Sequence, residues 1–293
     1  MRRLTIRHET RYTYEREVAF GPHELLLRPR GGHGLRVVSG GLTFAPQAET
    51  RWRYDAYGNC VCQLTPLAPG MEFLVLSELE IERFPAPLDV QEVDDPRTAT
   101  PIVYAGDEHV VLAPFIAPAT EDPDGLLLRW LHGHAPSAGE YALDYVLRLN
   151  RLIFESFAYR SRYEEGVQAP EETVRLEQGT CRDFAWLMVE TLRRLGFASR
   201  FVSGYLHSPG HEAVRGAGAT HAWCQVFLPG FGWTDFDPTN GLAEAAALIP
   251  VAVSRTPREA SPISGVIIGD PGQTRLDVQV DVRLLPQAAP VAA

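Results

Sequence analysis

The sequence predicts an α+β fold, and three observations carry that reading. Residues 1 to about 110 show strand-type alternation with a period of two. From about residue 122 the apolar spacing changes to 3.6. After residue 200 short strand-type runs return. The expected organisation is a β-rich N-terminal domain over 1–110, a core over 111–245 in which a cysteine-bearing helix packs on an antiparallel sheet, and C-terminal strands over 246–293. Those last strands are expected to pack back on the N-terminal domain or on the core.

In the N-terminal part, Leu4–Arg7, Arg11–Tyr14, Glu24–Arg28 and Arg51–Tyr54 read as short strands. Tyr57-Gly58-Asn59 is a turn signal before the strand Cys60–Leu64, and Phe73–Phe84 is a longer run. Proline and acidic residues dominate Pro85–Pro101, which reads as an edge or linker. Helices are predicted over Leu126–Leu131 and over Ala138–Phe157, the second with Tyr141, Tyr145, Leu149, Leu152 and Ile153 on one face. A third begins after Thr180: Phe184, Leu187, Met188, Leu192 and Leu195 fall at three- and four-residue spacing. Arg182, Glu190, Arg193 and Arg194 point away from that stripe, and Gly196 is a stop signal. Strands follow over Arg200–Leu206, Thr220–Leu228, Trp233–Asp237, Gly265–Ile268 and Leu276–Leu285. The glycines between Gly204 and Gly218, with Pro209, predict a mobile loop beside the Thr220 strand.

Composition narrows the function classes. The 293 residues are 45% hydrophobic and 22% charged, enough to bury a substantial core. A formal net charge of −10 argues against general affinity for nucleic acid or anionic membrane. No run approaches the roughly 18 apolar residues of a membrane helix, and charges at Arg7, His8, Glu9 and Arg11 interrupt any secretory signal. The four cysteines, 60, 62, 181 and 224, are too few for a disulfide scaffold and fit a reducing compartment. A cytoplasmic protein is the expectation.

The chemistry-bearing residues are Cys181, His221 and Asp237, in chain order on helix, strand and strand. Thr180 to Asp183 reads as a capping box, which puts Cys181 at the first helical position. There the helix dipole and free amides favour a thiolate, and the same amides suit an oxyanion. On the strand from His221, the even residues Ala222, Cys224, Val226 and Leu228 make a small apolar face toward the core. Cys224 is therefore packing, and His221 is expected to be exposed on the other side. The turn Pro229–Gly232 allows two registers. With Leu228 opposite Trp233, Asp237 falls on the wrong face; with Phe227 opposite Trp233, Asp237 becomes a diagonal neighbour of His221. Asp235 shares that face one step farther off, so the second register and Asp237 are predicted. Trp186, Trp223, Phe231 and Trp233 are candidates for a cleft wall or for core.

Other clusters read as structural. Cys60 and Cys62 lack zinc spacing and read as packing; His132, His134, His207 and His211 read as solvated loop histidines; Asp94-Asp95 reads as a solvated turn. No metal, calcium loop, phosphate-cradling loop or dinucleotide fingerprint is expected, and no cofactor.

The chain resembles the bacterial transglutaminase-like superfamily, in the cysteine-protease-type members with a β-rich N-terminal domain. The resemblance runs through Phe157-Ala158-Tyr159, Gly179 to Ala185, Gly204-Tyr205, His221-Ala222-Trp223, Gly232-Trp233 and Asp237-Pro238-Thr239-Asn240. Asp55 to Asn59 and the tail around Pro262 to Gly265 extend it over most of the chain. It implies a papain-like α/β core with Cys181 as nucleophile, His221 as general base and Asp237 as its orienting partner, four residues after Trp233. One departure stands out: many relatives carry a histidine where this chain has Trp186. The expected reaction is acyl transfer on a peptide or protein substrate through a thioester. Hydrolysis is the leading outcome, cross-linking to an amine an alternative, and a catalytically silent peptide-binding module another. Tyr159 is a candidate for oxyanion binding or positioning.

Overall fold

One strand of 27 residues, β1 (Arg2–Arg28), organises the N-terminal half. In the computed structural model, which describes residues 1–84, 99–161, 166–207, 214–216, 218–243 and 247–286, the first half of β1 lies between two antiparallel partners, β5 (Gly70–Arg83) and β13 (Thr274–Leu284). Its second half pairs with β4 (Cys60–Pro66) and β12 (Ile263–Ile268). On the far sides, β2 (Leu35–Ala45) pairs with β5 and β3 (Ala48–Tyr54) pairs with β4. Alternation explains the pattern: Leu4, Ile6, His8 and Thr10 are buried. Between them Arg3, Arg7 and Arg11 pair outside with Glu80, Glu9 and Glu72. Register shifts between Thr13 and Val18, between Phe20 and His23 and between Leu25 and Arg28 interrupt the period. These irregularities are why the sequence reads as several short strands rather than one. The final strands thus pack on the N-terminal sheet. The Pro85–Pro101 linker lies outside the described residues as far as residue 98.

The second half is built on a four-stranded antiparallel sheet. Its members are β8 (Ser199–Leu206), β9 (His221–Leu228), β10 (Gly232–Phe236) and β11 (Leu248–Ser254), in the order β10-β9-β8-β11. Helix α5 (Cys181–Arg194) packs across β8 and β9. Helices α1 (Gly106–Ile116), α2 (Leu126–His132), α3 (Ala142–Ser156) and α4 (Pro170–Leu176) precede it. Phe184, Leu187, Met188 and Leu192 of α5 form one core with Tyr145, Leu149 and Ile153 of α3 and with Phe201, Cys224 and Val226 of the sheet. Helix α3 starts later than the sequence suggests, so Tyr141 is its exposed N-cap residue and not part of the buried face. A two-residue parallel pair, β6 (Ala158–Tyr159) and β7 (Gln178–Gly179), sets Tyr159 beside Gly179.

The two halves share a core. Leu4, Ile6 and Ile81 of the N-terminal sheet pack with Tyr205, Ile249 and Val251. The Asp55–Asn59 turn contributes a second tie, because the Asn59 side chain donates to the Val253 carbonyl at 2.8 Å and accepts the Val253 N–H at 2.9 Å.

The polar face of α5 differs from its sequence expectation. Glu190 and Arg193 do not point to solvent; they are 0% and 2% exposed. The Glu190 carboxylate accepts hydrogen bonds from the amides of Ala119 and Thr120, the Thr120 hydroxyl, Arg193 and Arg194. Arg193 also donates to the carbonyls of Phe115, Ser199 and Arg255. A buried ion pair persists when every lone pair and proton is met, and helical spacing alone does not reveal those partners. No helix among the described residues is long and apolar enough to cross a membrane.

Candidate active site

The start of α5 is built around one carboxylate. Asp183 Oδ2 accepts the Thr180 N–H and the Thr180 hydroxyl, each at 2.8 Å, and Oδ1 accepts the Gln168 N–H at 2.7 Å. This fixes the entry to the helix and places Cys181 at its first position, 7% exposed. Gly179 makes the approach possible, since a Cβ there would lie 2.8 Å from the Cβ of Asp183.

His221 opens β9, paired with Gly204 of β8. Strand alternation predicts it exposed; it is 1% exposed. Both faces of this sheet are covered. The even face packs into the main core, and Trp223 of the odd face packs with Val202, Leu206 and Leu248. Alternation correctly separates the two faces but does not say that the second is also roofed.

The β9–β10 register is the one the sequence favours. Trp233 lies opposite Phe227, Asp235 opposite Gln225 and Phe236 opposite Cys224. Asp237, the next residue, is carried to His221, and its Oδ2 lies 2.8 Å from Nε2. The carboxylate is itself oriented: Oδ1 accepts the Thr239 N–H at 2.9 Å, and Oδ2 accepts from Asn240 Nδ2 at 2.8 Å. The Asn240 side-chain oxygen in turn accepts the Arg215 N–H at 2.9 Å. A backbone bridge between Asp237 and Leu242 closes the turn. Asn240 is the site residue that residue-by-residue reading passes over. Its signal is the Asp-Pro-Thr-Asn turn, where short polar side chains commonly bond nearby backbone.

The electrostatics follow from these contacts. Burial alone pushes the His221 imidazole down, but the charge and hydrogen bond of Asp237, with help from Cys181, outweigh it, so His221 is held above the ordinary histidine value. For Asp237, burial pushes the carboxyl up, and His221, Asn240 and the Thr239 amide bring it below the usual aspartate range. Nε2 is committed to Asp237, while Nδ1 has no hydrogen-bond partner. Nδ1 is therefore the nitrogen left open, and Cys181 lies near enough to help raise the imidazole. Gly216, at φ +85°, passes over this nitrogen, and a Cβ there would lie 3.0 Å from Nδ1. The same Cβ would lie 3.8 Å from the Tyr159 hydroxyl. Burial, and then the charge of Cys181, push the Tyr159 phenol up to about 12, so it keeps its proton. An imidazole bonded to a carboxylate thus lies near a cysteine at a helix start, with a phenol at its side.

The remaining candidates fall elsewhere. Cys224 is fully buried in the core, and Cys60 and Cys62 are free thiols on β4. Trp186 is buried against the Arg193 guanidinium, 5.5 Å from its ring, so it belongs to the core and not to a cleft wall. His207 is not a solvated loop residue; it is buried at the end of β8, where its backbone N–H bonds the Ala247 carbonyl. His132 is exposed and His134 packs on Trp130. Asp94, Asp95, His211 and most of the expected mobile loop (208–213 and 217) lie outside the described residues. Among the described residues no three His, Cys, Asp or Glu side chains cluster as a metal site.

Comparison with known proteins agrees with this architecture. Residues 4–82 match the bacterial transglutaminase-like N-terminal region, and residues 135–238 match the transglutaminase-like superfamily. An uncharacterised protein of Mycobacterium leprae is 27% identical over 296 residues, spanning 97% of this chain and 100% of its own. One from Mycobacterium tuberculosis is 28% identical over 304 residues, spanning 96% and 92%. A candidate cysteine protease from Cytophaga hutchinsonii, 18% identical, superposes with a TM-score of 0.75 over 98% of this chain and 92% of that one, a likeness of fold.

Proposed function

Because the chain belongs to the transglutaminase-like superfamily, we propose that it is a cysteine-dependent acyl-transfer enzyme acting on amide bonds of peptide or protein substrates. One observation carries this reading. His221 has one nitrogen held by Asp237 and the other left without a partner, within electrostatic reach of a cysteine at a helix start. That is the arrangement of an oriented base beside an activated nucleophile.

The Cys181 thiolate attacks the amide carbonyl and forms a C–S bond, placing negative charge on the carbonyl oxygen. Backbone N–H groups at the start of α5 stabilise that charge, and the protonated Tyr159 hydroxyl is a further donor on the same side. The imidazolium of His221 gives its proton to the departing nitrogen as the C–N bond breaks, leaving a thioester and a free amine. A water molecule then attacks the thioester. His221 takes one of its protons, the C–S bond breaks, and the acid leaves with the thiolate restored. Asp237 stabilises the imidazolium throughout and fixes the tautomer. Hydrolysis is the preferred outcome because water needs no second binding site; an amine attacking in its place gives cross-linking.

Exposure of the full chain to a peptide library, followed by intact-mass and peptide-level mass spectrometry, tests this. The expected result is an acyl adduct on Cys181 that accumulates briefly and decays to free acid. An adduct that decays only with added amine assigns cross-linking. No adduct from any amide pool, with the chain folded, overturns the reading.

A further inference from the structure

Beside the catalytic carboxylate lies a second, half-buried one, Asp235, for which the chemistry above has no use. We propose that Asp235 is a positioning residue for His221, acting through the indole of Trp223. The proposal rests on the reading of His221 as the base.

Asp235 Oδ1 accepts two hydrogen bonds, from Trp223 Nε1 at 2.6 Å and from Gln225 Nε2 at 2.7 Å. Trp223 is fully buried, and its ring lies nearly parallel to the His221 imidazole, 6.0 Å between centroids with 27° between planes. The indole's far edge rests on Gly204: a Cβ there would meet Trp223 Cη2 at 2.7 Å and the Ile249 carbonyl oxygen at 2.2 Å. The indole is therefore fixed at both ends, by Asp235 at its N–H and by bare backbone at its six-membered ring. Gly204 is also the sheet partner of His221. For the imidazole to swing toward Trp223 and leave Asp237, that fixed wall has to move. A histidine poised between a carboxylate and a thiol tolerates little displacement, since about 1 Å of misplacement can lower a rate on the order of 100-fold.

The surroundings keep Asp235 in this task. Arg200 donates to Gln225 Oε1 at 2.8 Å and lies over Trp233 at 4.0 Å. Arg83, from the N-terminal sheet, donates to the Leu248 carbonyl at 2.7 Å. Burial pushes the Asp235 carboxyl up, while its two hydrogen bonds and then these two guanidinium groups pull it back. The N-terminal half thus contributes a charge to the support behind the catalytic strand.

The test is the rate of iodoacetamide labelling at Cys181, resolved by peptide mapping and followed across pH, in the full chain and in Asp235→Ala, Asp235→Asn and Trp223→Phe. Thermal unfolding is recorded for each. Cys181, Asp237 and Tyr159, the titratable groups around His221, are unchanged in all of them. Asp235→Ala and Trp223→Phe are expected to slow labelling near neutral pH by about 10-fold and to move the pH midpoint. Asp235→Asn, whose amide oxygen still accepts the indole N–H, is expected to recover most of the rate. Trp223→Phe keeps an aromatic ring while removing the N–H donor and the far edge that rests on Gly204, so it serves where Asp235→Ala does not fold. Profiles that superpose on the parent while stability falls overturn the proposal and leave the nucleophile intact. A parent Cys181 that labels no faster than Cys60 overturns the nucleophile reading, and this proposal with it.

Discussion

Two histidines, each 1% exposed, sit in opposite electrostatic situations. His8, in the N-terminal sheet, meets only hydroxyls: Nδ1 is 3.1 Å from the Tyr205 hydroxyl and Nε2 is 2.9 Å from Thr10 Oγ1. Because Tyr205 donates its own proton to the Leu27 carbonyl, it accepts from Nδ1, and Nε2 accepts from Thr10. Burial lowers this imidazole to about 4, so it stays neutral. His221 suffers the same burial beside Asp237 and is raised. Burial does not decide what a histidine does; the charge of its partner does. The first histidine has both nitrogens occupied and is structural. The second keeps one unbonded.

The largest effect is expected where that difference is erased. Asp237→Asn leaves His221 with an uncharged neighbour, as at His8. The single-turnover rate of acyl transfer should fall on the order of 100- to 10,000-fold, with the circular dichroism spectrum preserved. A fall below about 10-fold would separate His221 from its supposed partner.

Glu190→Ala sharpens the same contrast from the other end of α5. There every oxygen is occupied, so the loss should appear as stability and not as reactivity. Removing the carboxylate strands the buried Arg193 charge, and urea unfolding should show a loss of about 3–5 kcal/mol. The relative labelling rates of Cys181 and Cys60 should not move.

The pH dependence of stability separates the two histidines next. His8 has a folded value below its unfolded 6.5. Its contribution is intact above about 6.5 and declines as pH falls, because only the unfolded chain takes up the proton, by on the order of 3 kcal/mol near pH 4. His8→Gln should flatten that acid limb in thermal unfolding. His221 has the opposite sign: its contribution is complete below 6.5 and is lost as pH rises through its raised folded value. Asp237, lowered, contributes above about 3.8 and loses that contribution as pH falls through its folded value. Asp237→Asn should therefore remove the stability decline on the alkaline side. The smallest effect is expected at the exposed Arg151–Glu155 pair on α3, where Arg151→Ala should leave the unfolding midpoint within experimental scatter and labelling unaltered.

Much of the site is legible in the sequence because its logic is local. A capping residue, a two-residue alternation and a turn of known length suffice to put Cys181 at a helix start and to choose Asp237 over Asp235. What escapes depends on distant chain. The burial of His221 needs Gly216 and Asp237 against its ring, and the burial of Glu190 and Arg193 needs Thr120 and Arg255. Strand β2 goes unread because Ser39-Gly40-Gly41 breaks its apolar pattern. A Cβ at Gly40 would lie 2.7 Å from Arg28 Nη1 and Leu79 Cδ2, so those side-chain ends would have to shift. The continuity of β1 is hidden by its three register shifts.

The central claim is that Cys181, His221 and Asp237 act as one unit, and site-resolved alkylation tests it most directly. The other thiols are internal standards, since burial pushes Cys60, Cys62 and Cys224 all upward. Near neutral pH, Cys181 should take iodoacetamide faster than each of them, and His221→Ala should abolish the advantage. Equal rates at Cys181 and Cys60, or a Cys181 rate untouched by His221→Ala, would contradict the account.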